Sequence, residues 1–278
     1  MKTKNETRDL FYSDVERIPT EELGFNSNSY NEFSIVVDTP KKKTLVNQCS
    51  KDYLLVSNRE LFLPIEQRVI ENLGEENVEI KYTIKNHSEF TLSFLFKRKD
   101  LIQKIGKKRA NDIIFPTVDM SHSYNGRIPY MLNEGIFRQV CKNGLWGVVS
   151  TGNSINQIHC IGNTSQIIDA TIESITKFLE TSHESLRKME VLMEKSRSRE
   201  EAVKVVETLI EKGVFYKSLK DDVLNRLFLE GDKESLGFND WMIYNAFNFQ
   251  LNHNEKINIP KSEMIKRDTR LADALISF

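Results

Sequence analysis

The stretch from Asn77 to Lys97 constrains the chain most. In NVEIKYTIKN, Val78, Ile80, Tyr82 and Ile84 alternate with Glu79, Lys81, Thr83 and Lys85. A period of two places the first set on one face of a strand and the second on the other, which predicts a half-buried antiparallel strand. Asn86-His87 supplies a turn. EFTLSFLFK (89–97) returns with Phe90, Leu92, Phe94 and Phe96 on one face, so the two segments form a hairpin.

The same kind of signal recurs through the front half. FSIVVD (33–38), ended by Thr39-Pro40, reads as a strand, and YLLV (53–56) as another. Ser57-Asn58 suits a helix cap for roughly 59–73, where Leu61, Ile65, Val69 and Leu73 fall four apart before Gly74. Pro64 removes one hydrogen bond and crowds the previous turn, so the regular helix is expected to begin near Leu63. IIFPTVDMSHSY (113–124) reads as a strand edged or interrupted by Pro116. Asn125-Gly126 is a strong hairpin turn because both positions favour positive φ. RIPYML (127–132) runs back, Gly135 breaks it, and IFRQV (136–140) follows. Lys142-Asn143-Gly144 is a second turn, and LWGVVS (145–150) and INQIHCIG (155–162) are further short strands.

From Thr164 the period changes. Ile168, Ile172, Ile175 and Leu179 repeat at helical spacing, and helical sequence continues to about 195. Three more helices are expected over about 196–213, with Ser198 and Glu201 as a capping box, 218–231, and 238–253 with Asn239 as cap. A last one closes the chain. The fold class is therefore α+β, with an antiparallel β-hairpin sheet in the N-terminal half and a helical C-terminal half. Residues 1–32 are polar and read as a flexible arm that Phe11, Tyr12 and Phe25 pin down. Residues 33–162 form a β-rich core with one helix, and 163–278 a helical portion packed on that core.

Composition bounds the function. Of 278 residues, 39% are apolar and 16 are Phe, enough for a substantial core. The net charge of −1 excludes nucleic-acid binding by bulk charge and leaves only a local patch. Cys49, Cys141 and Cys160 are odd in number and fit neither a zinc knuckle nor a disulfide framework, so a reducing cytoplasm is expected. The first residues lack a signal-peptide pattern, and no window is apolar enough to span a membrane. P-loop, dinucleotide, HExxH and GxSxG signatures are absent, and no cofactor or metal is expected. Glu200-Glu201 and Asp221-Asp222 suit helix starts, not metal binding.

The strongest charge asymmetry follows the first hairpin. Lys97, Arg98, Lys99, Lys104, Lys107, Lys108 and Arg109 face one acid, Asp100, within 97–109. Such a run either projects toward a phosphate backbone, as an extended β-arm or short helix, or is a solvated loop. It leads into a polar group at a hairpin tip: Ser121, Ser123, Tyr124 and Asn125 offer hydrogen bonds to a phosphate, sugar or base, and His122 an acid or base. The alternative is that Asn-Gly serves the turn and the others line a solvated face. Arg138, between Phe137 and Val140, must be paired or reach a surface. It either holds a carboxylate such as Asp119 or Glu134, or meets a phosphate. Cys141 with His159 suggests a thiol and base, but nothing local activates the thiol, and a buried inert cysteine is the simpler reading. His159 and Cys160 are adjacent and point to opposite faces of a strand, which argues against joint metal ligation with His122.

Taken together, S-x-S-Y-N-G (Ser121, Ser123, Tyr124, Asn125, Gly126) and R-x-x-C-x-N-G (Arg138, Cys141, Asn143, Gly144) resemble the phage/plasmid-like family called domain of unknown function 932. YLLVSN (53–58), His159 before a long helix, and Trp241, Asn245-Ala246 and His253 extend the resemblance over roughly 50–255. Typical members carry Asp where this chain has Asn125. The resemblance implies a prophage, plasmid or integrative-element setting, and no defined activity. The β-then-α outline with a basic arm is also similar to phage single-strand annealing proteins. The expected function is binding of single-stranded DNA, with strand annealing and homo-oligomers. The alternatives are an enzyme with a polar pocket around Ser121, His122, Arg138, Cys141 and His159, or an interaction protein that blocks a host defence factor.

Overall fold

The structure is a computed structural model and describes residues 4–104, 113–138, 143–145, 156–157, 163–233, 237–259 and 261–278. The chain opens with helix α1 (Lys4–Phe11), then β1 (Val15–Pro19), β2 (Phe33–Asp38) and β3 (Lys43–Cys49), which form a three-stranded sheet of order β1-β2-β3. The polar N-terminal segment, read as a flexible arm, thus contains a helix and a strand. Phe11 and Tyr12 are buried and anchor it, whereas Phe25 is exposed.

Helix α2 (Asn58–Leu73) carries its Pro64 inside. The expected late start at Leu63 is corrected, because a complete capping box at Ser57 and Glu60 anchors the first turn, and Leu61, Phe62, Ile65 and Val69 bury one face. These contributions offset the single bond that proline withholds. The YLLV stretch is not a strand. Two of its carbonyls go to side chains instead, Tyr53's accepting from Arg17 Nη1 and Val56's from His122, while Tyr53 Oη donates to the Tyr124 carbonyl.

The hairpin β4 (Val78–Lys85) and β5 (Glu89–Phe96) pairs from Val78 with Phe96 to Lys85 with Glu89. Asn86 and His87 turn it at φ 52° and 56°, the left-handed region that a two-residue turn of this kind demands. Then come β6 (Gln103–Lys104), β7 (Ile113–Ser123), β8 (Tyr130–Arg138), β9 (Asn143–Leu145) and β10 (Asn156–Gln157). Together β4–β10 make a seven-stranded sheet with the path β10-β8-β7-β5-β4, β6 pairing β7 and β9 pairing β8. Neither Pro116 nor Gly135 ends a strand: β7 and β8 run through them.

The helical part comprises α3 (Thr164–Glu194), α4 (Arg199–Glu211), α5 (Lys220–Phe228), α6 (Asp240–His253) and α7 (Lys261–Ile276). Ser198 caps α4 through the expected box with Glu201, and Asn239 caps α6. Helix α5 runs into a π-helical turn, Leu229–Lys233, so Gly231 lies within that turn and does not end the helix.

Two compact units emerge, and neither is continuous in sequence. The first holds Met1–Lys97, Val118–Asn133 and Asn153–Lys177; the second holds Arg98–Thr117, Glu134–Gly152 and Phe178–Phe278. Strands β7 and β8 and helix α3 each contribute residues to both. The compositional boundary at 162/163 therefore does not coincide with the division by contacts.

In the first unit the aromatic side chains of α1, α2 and the hairpin meet. Phe11 packs 5.5 Å from Phe62 and 5.6 Å from Phe90, centroid to centroid. In the second unit the core surrounds α6, which is buried on nearly every residue from Asp240 to Leu251. Val205, Val206 and Leu209 of α4, Val223 and Leu227 of α5, and Leu271 and Leu275 of α7 belong to that core. A helix covered on all sides needs no polar stripe, which is why its apolar residues follow no single face.

Candidate functional site

The hairpin tip at 121–126 lies inside the first unit, and its groups are engaged. Tyr124 is 1% exposed. Its ring lies 4.6 Å from that of Phe90 and 5.6 Å from that of His122. Its hydroxyl accepts the Asn58 N–H at 2.8 Å, and its carbonyl accepts from Asn47 Nδ2 at 3.2 Å and from Tyr53 Oη at 3.1 Å. Burial pushes the Tyr124 hydroxyl well above its ordinary pKa, and the Asn58 N–H pulls slightly the other way.

The neighbours behave alike. Ser121 Oγ pairs with Thr91 Oγ1 at 3.1 Å. Ser123 Oγ donates to the Ile128 carbonyl at 3.0 Å and accepts the Ile128 N–H at 2.8 Å, clasping the turn. Asn125 Nδ2 donates to Ser88 Oγ, and its Oδ1 accepts the Arg127 N–H; Gly126 takes φ 70°. His122 Nε2 lies 3.0 Å from the Val56 carbonyl. A carbonyl only accepts, so Nε2 carries the proton.

The geometry thus joins two distant stretches. Residues 53–58 and 121–126, both of which carried the resemblance, are bonded to each other through Tyr53, Val56, Asn58, His122 and Tyr124. Their joint effect is to fix the first turn of α2. The capping box serves the Ser57 and Glu60 amides, and Tyr124 serves Asn58. An α-helix leaves its first four N–H groups without intrahelical partners, and here a buried tyrosine supplies one acceptor.

The basic segment divides. Lys97 pairs with Glu79, and Arg98 grips Asp100 with two bonds at 2.7 and 2.8 Å. Burial raises the Glu79 pKa, but Lys97 and Lys81 outweigh it and hold the group below its ordinary value. Lys99 is exposed. Lys104 stands in β6, opposite Ile113 of β7. Lys107, Lys108 and Arg109 lie outside the described residues, between backbone positions 104 and 113 that are adjacent partners.

Arg138 belongs to the second unit, at the end of β8. It is fully buried, and its Nη1 lies 3.1 Å from Glu230 Oε2. Glu230 also pairs with Arg226, whose guanidinium sits 4.0 Å from the centre of the Phe249 ring. The carboxylate that meets Arg138 here is Glu230, from a π-helical turn 92 residues away in sequence, a residue the sequence reading did not name. Cys141, His159 and Cys160 lie outside the described residues.

A second polar cluster left little trace in the sequence. Glu66, buried on α2, accepts from Arg8 Nη2 at 3.0 Å, Tyr12 Oη at 2.5 Å and Tyr82 Oη at 2.9 Å. Burial first, and the bond to Glu66 second, drive the Tyr12 hydroxyl far up; Tyr82 is raised by burial and by Glu66 as well. The only sequence hint was an acid directly after Ile65 in the buried stripe. Among the described residues no group of three or more His, Cys, Asp or Glu side chains is arranged to hold a metal ion. No helix among them is long and apolar enough to cross a membrane.

Residues 46–276 match the family described as Domain of unknown function (DUF932). The chain belongs to the DUF932 family. The match covers both stretches that converge at Tyr124, the basic segment, Arg138 and α6. It begins within β3, so α1, β1 and β2 lie outside it. No curated protein matches the chain, and no solved structure does.

Proposed function

We propose that this DUF932 chain binds single-stranded DNA through its basic segment. The observation that carries the reading is the pairing of β6 with β7. It brings Lys104 next to Ile113, so the run containing Lys107, Lys108 and Arg109 starts and ends at neighbouring positions on a sheet. The contact set narrows to Lys99, Lys104, Lys107, Lys108 and Arg109, since Lys97 and Arg98 already serve Glu79 and Asp100. Ser121, Ser123, Tyr124, Asn125 and Arg138 act by holding structure. Tyr124 has no open ring face on which a base can stack. A mobile-element setting, strand annealing and homo-oligomers belong to the same proposal.

Five cations engaged with phosphate give a slope of log affinity against log salt of about −3.5 on single strands, or roughly a hundredfold loss between 50 and 200 mM. Fluorescence anisotropy with a labelled oligothymidylate tests this. Replacing Lys104, Lys107, Lys108 and Arg109 by Gln should flatten the slope to about −0.7. An unchanged slope and affinity would sink the proposal.

A further inference from the structure

The surface beneath α1 has the features of a built receptor. Helix α1 lies outside the DUF932 match, and the groups that hold it lie inside. Its last carbonyls are met by side chains of α2: Asn58 Nδ2 donates to the Phe11 carbonyl at 2.9 Å, and Arg59 Nη2 to the Tyr12 carbonyl at 2.8 Å. A helix C-terminus leaves four carbonyls without partners and carries partial negative charge, so an amide and a guanidinium are suited to both needs. Phe11 enters an aromatic pocket of Phe62, Tyr82 and Phe90, with centroids at 5.5, 5.3 and 5.6 Å. Glu66 stands beside it and takes both Arg8 and Tyr12.

The ligand side is slight by comparison. Helix α1 has eight residues, and Lys4, Asn5, Glu6, Arg8 and Asp9 are exposed. So short a helix is marginal in water and owes its form to the surface it lies on. Arg8, Phe11 and Tyr12 reach that surface together, at spacings of three and four that bring them to one side.

We propose that this surface is a docking site for the C-terminal turn of a short helix bearing Arg-x-x-Phe-Tyr, filled in this chain by its own N-terminus. The site has three parts: Glu66 for the arginine and the tyrosine hydroxyl, Phe62, Tyr82 and Phe90 for the phenylalanine, and Asn58 with Arg59 for the helix end. Tyr124 supports it at one remove, because its hydroxyl holds the Asn58 N–H and so sets the turn that carries Asn58 and Arg59. The proposal does not depend on DNA binding.

The test is docking in trans. A fluorescent peptide of residues 1–14 is titrated with the full-length R8A/F11A/Y12A variant, whose site is vacated, and with the wild-type chain. The variant should bind the peptide at least about tenfold more tightly than wild type, because in wild type the tethered helix competes. Adding Glu66→Gln to the variant should weaken binding about tenfold, by removing the charge that meets arginine. Equal binding by wild type and variant, or indifference to Glu66→Gln, overturns the proposal. Should the triple variant fail to fold by circular dichroism, chymotrypsin on the wild-type chain decides. Excess unlabelled peptide should speed cleavage after Phe11 and Tyr12, whereas a scrambled peptide should not, and equal rates with the two refute the site.

Discussion

Replacing Tyr124 by Phe separates a structural tyrosine from a nucleic-acid contact. The substitution keeps the ring, its packing on Phe90 and its place near His122. It removes one oxygen, the acceptor of the Asn58 N–H at 2.8 Å. Asn58 is fully buried, so that N–H is left without an acceptor and without water. Stranding a buried donor costs about 1–3 kcal/mol. No cavity forms, and the Tyr124 carbonyl still accepts from Asn47 and Tyr53, so the loss should stay within that range. The assay is urea unfolding of the full-length chain, with Tyr30→Phe as control because Tyr30 is 84% exposed. DNA affinity measured in parallel should be unchanged. A Tyr124→Phe protein within about 0.5 kcal/mol of wild type would refute the reasoning. So would one of normal stability that binds DNA several-fold more weakly.

Three further outcomes are expected. Tyr12, Tyr82, Tyr124 and Tyr130 all ionise above their ordinary value of 10.0, chiefly because they are buried. A raised folded-state pKa leaves stability intact below pH 10 and erodes it above, as the unfolded chain sheds protons first, by about 1.4 kcal/mol per pH unit for each tyrosine. Absorbance at 295 nm should show these four titrating only as circular dichroism reports unfolding. Arg138→Met should destabilise the second unit by about 1.5–3 kcal/mol in urea, because the buried Glu230 carboxylate loses one charged partner and keeps Arg226. Gly231→Ala should cost about 1–3 kcal/mol by thermal unfolding, since a Cβ there would stand 2.3 Å from the Phe238 ring; Phe238→Leu in the same chain should recover part of the loss.

The sequence by itself determined the local structure wherever one physical signal acted alone. The alternation at 78–96 set the hairpin and its buried face: Phe90, Leu92, Phe94 and Phe96 are all buried. Ser198 with Glu201, and Asn239, placed two helix starts, because caps are written within four residues. Asn125-Gly126 marks a turn but not a two-residue hairpin, since β7 ends at Ser123, β8 begins at Tyr130, and of the pair only Gly126 takes a positive φ. Signals failed where distant residues outweighed a local rule. Pro64 sits inside a helix because the Ser57 box and the buried stripe outweigh one lost bond. YLLV reads as a strand but finds its partners in Tyr124 and His122, about seventy residues away in sequence.

The candidate site shows the same divide. Charge is a property of composition, so the basic run was legible directly. Burial is not: Ser121, Ser123 and Tyr124 read as available polar groups and Arg138 as one that must be paired or reach a surface, and only tertiary packing enclosed them and gave each its partner. The Glu66 cluster lay further out of reach, since it joins Arg8, Tyr12, Glu66 and Tyr82 across seventy-four residues of chain. A hydrogen-bond network of that span has no period and no motif. It exists because α1, α2 and β4 meet, and that meeting is decided by the fold as a whole.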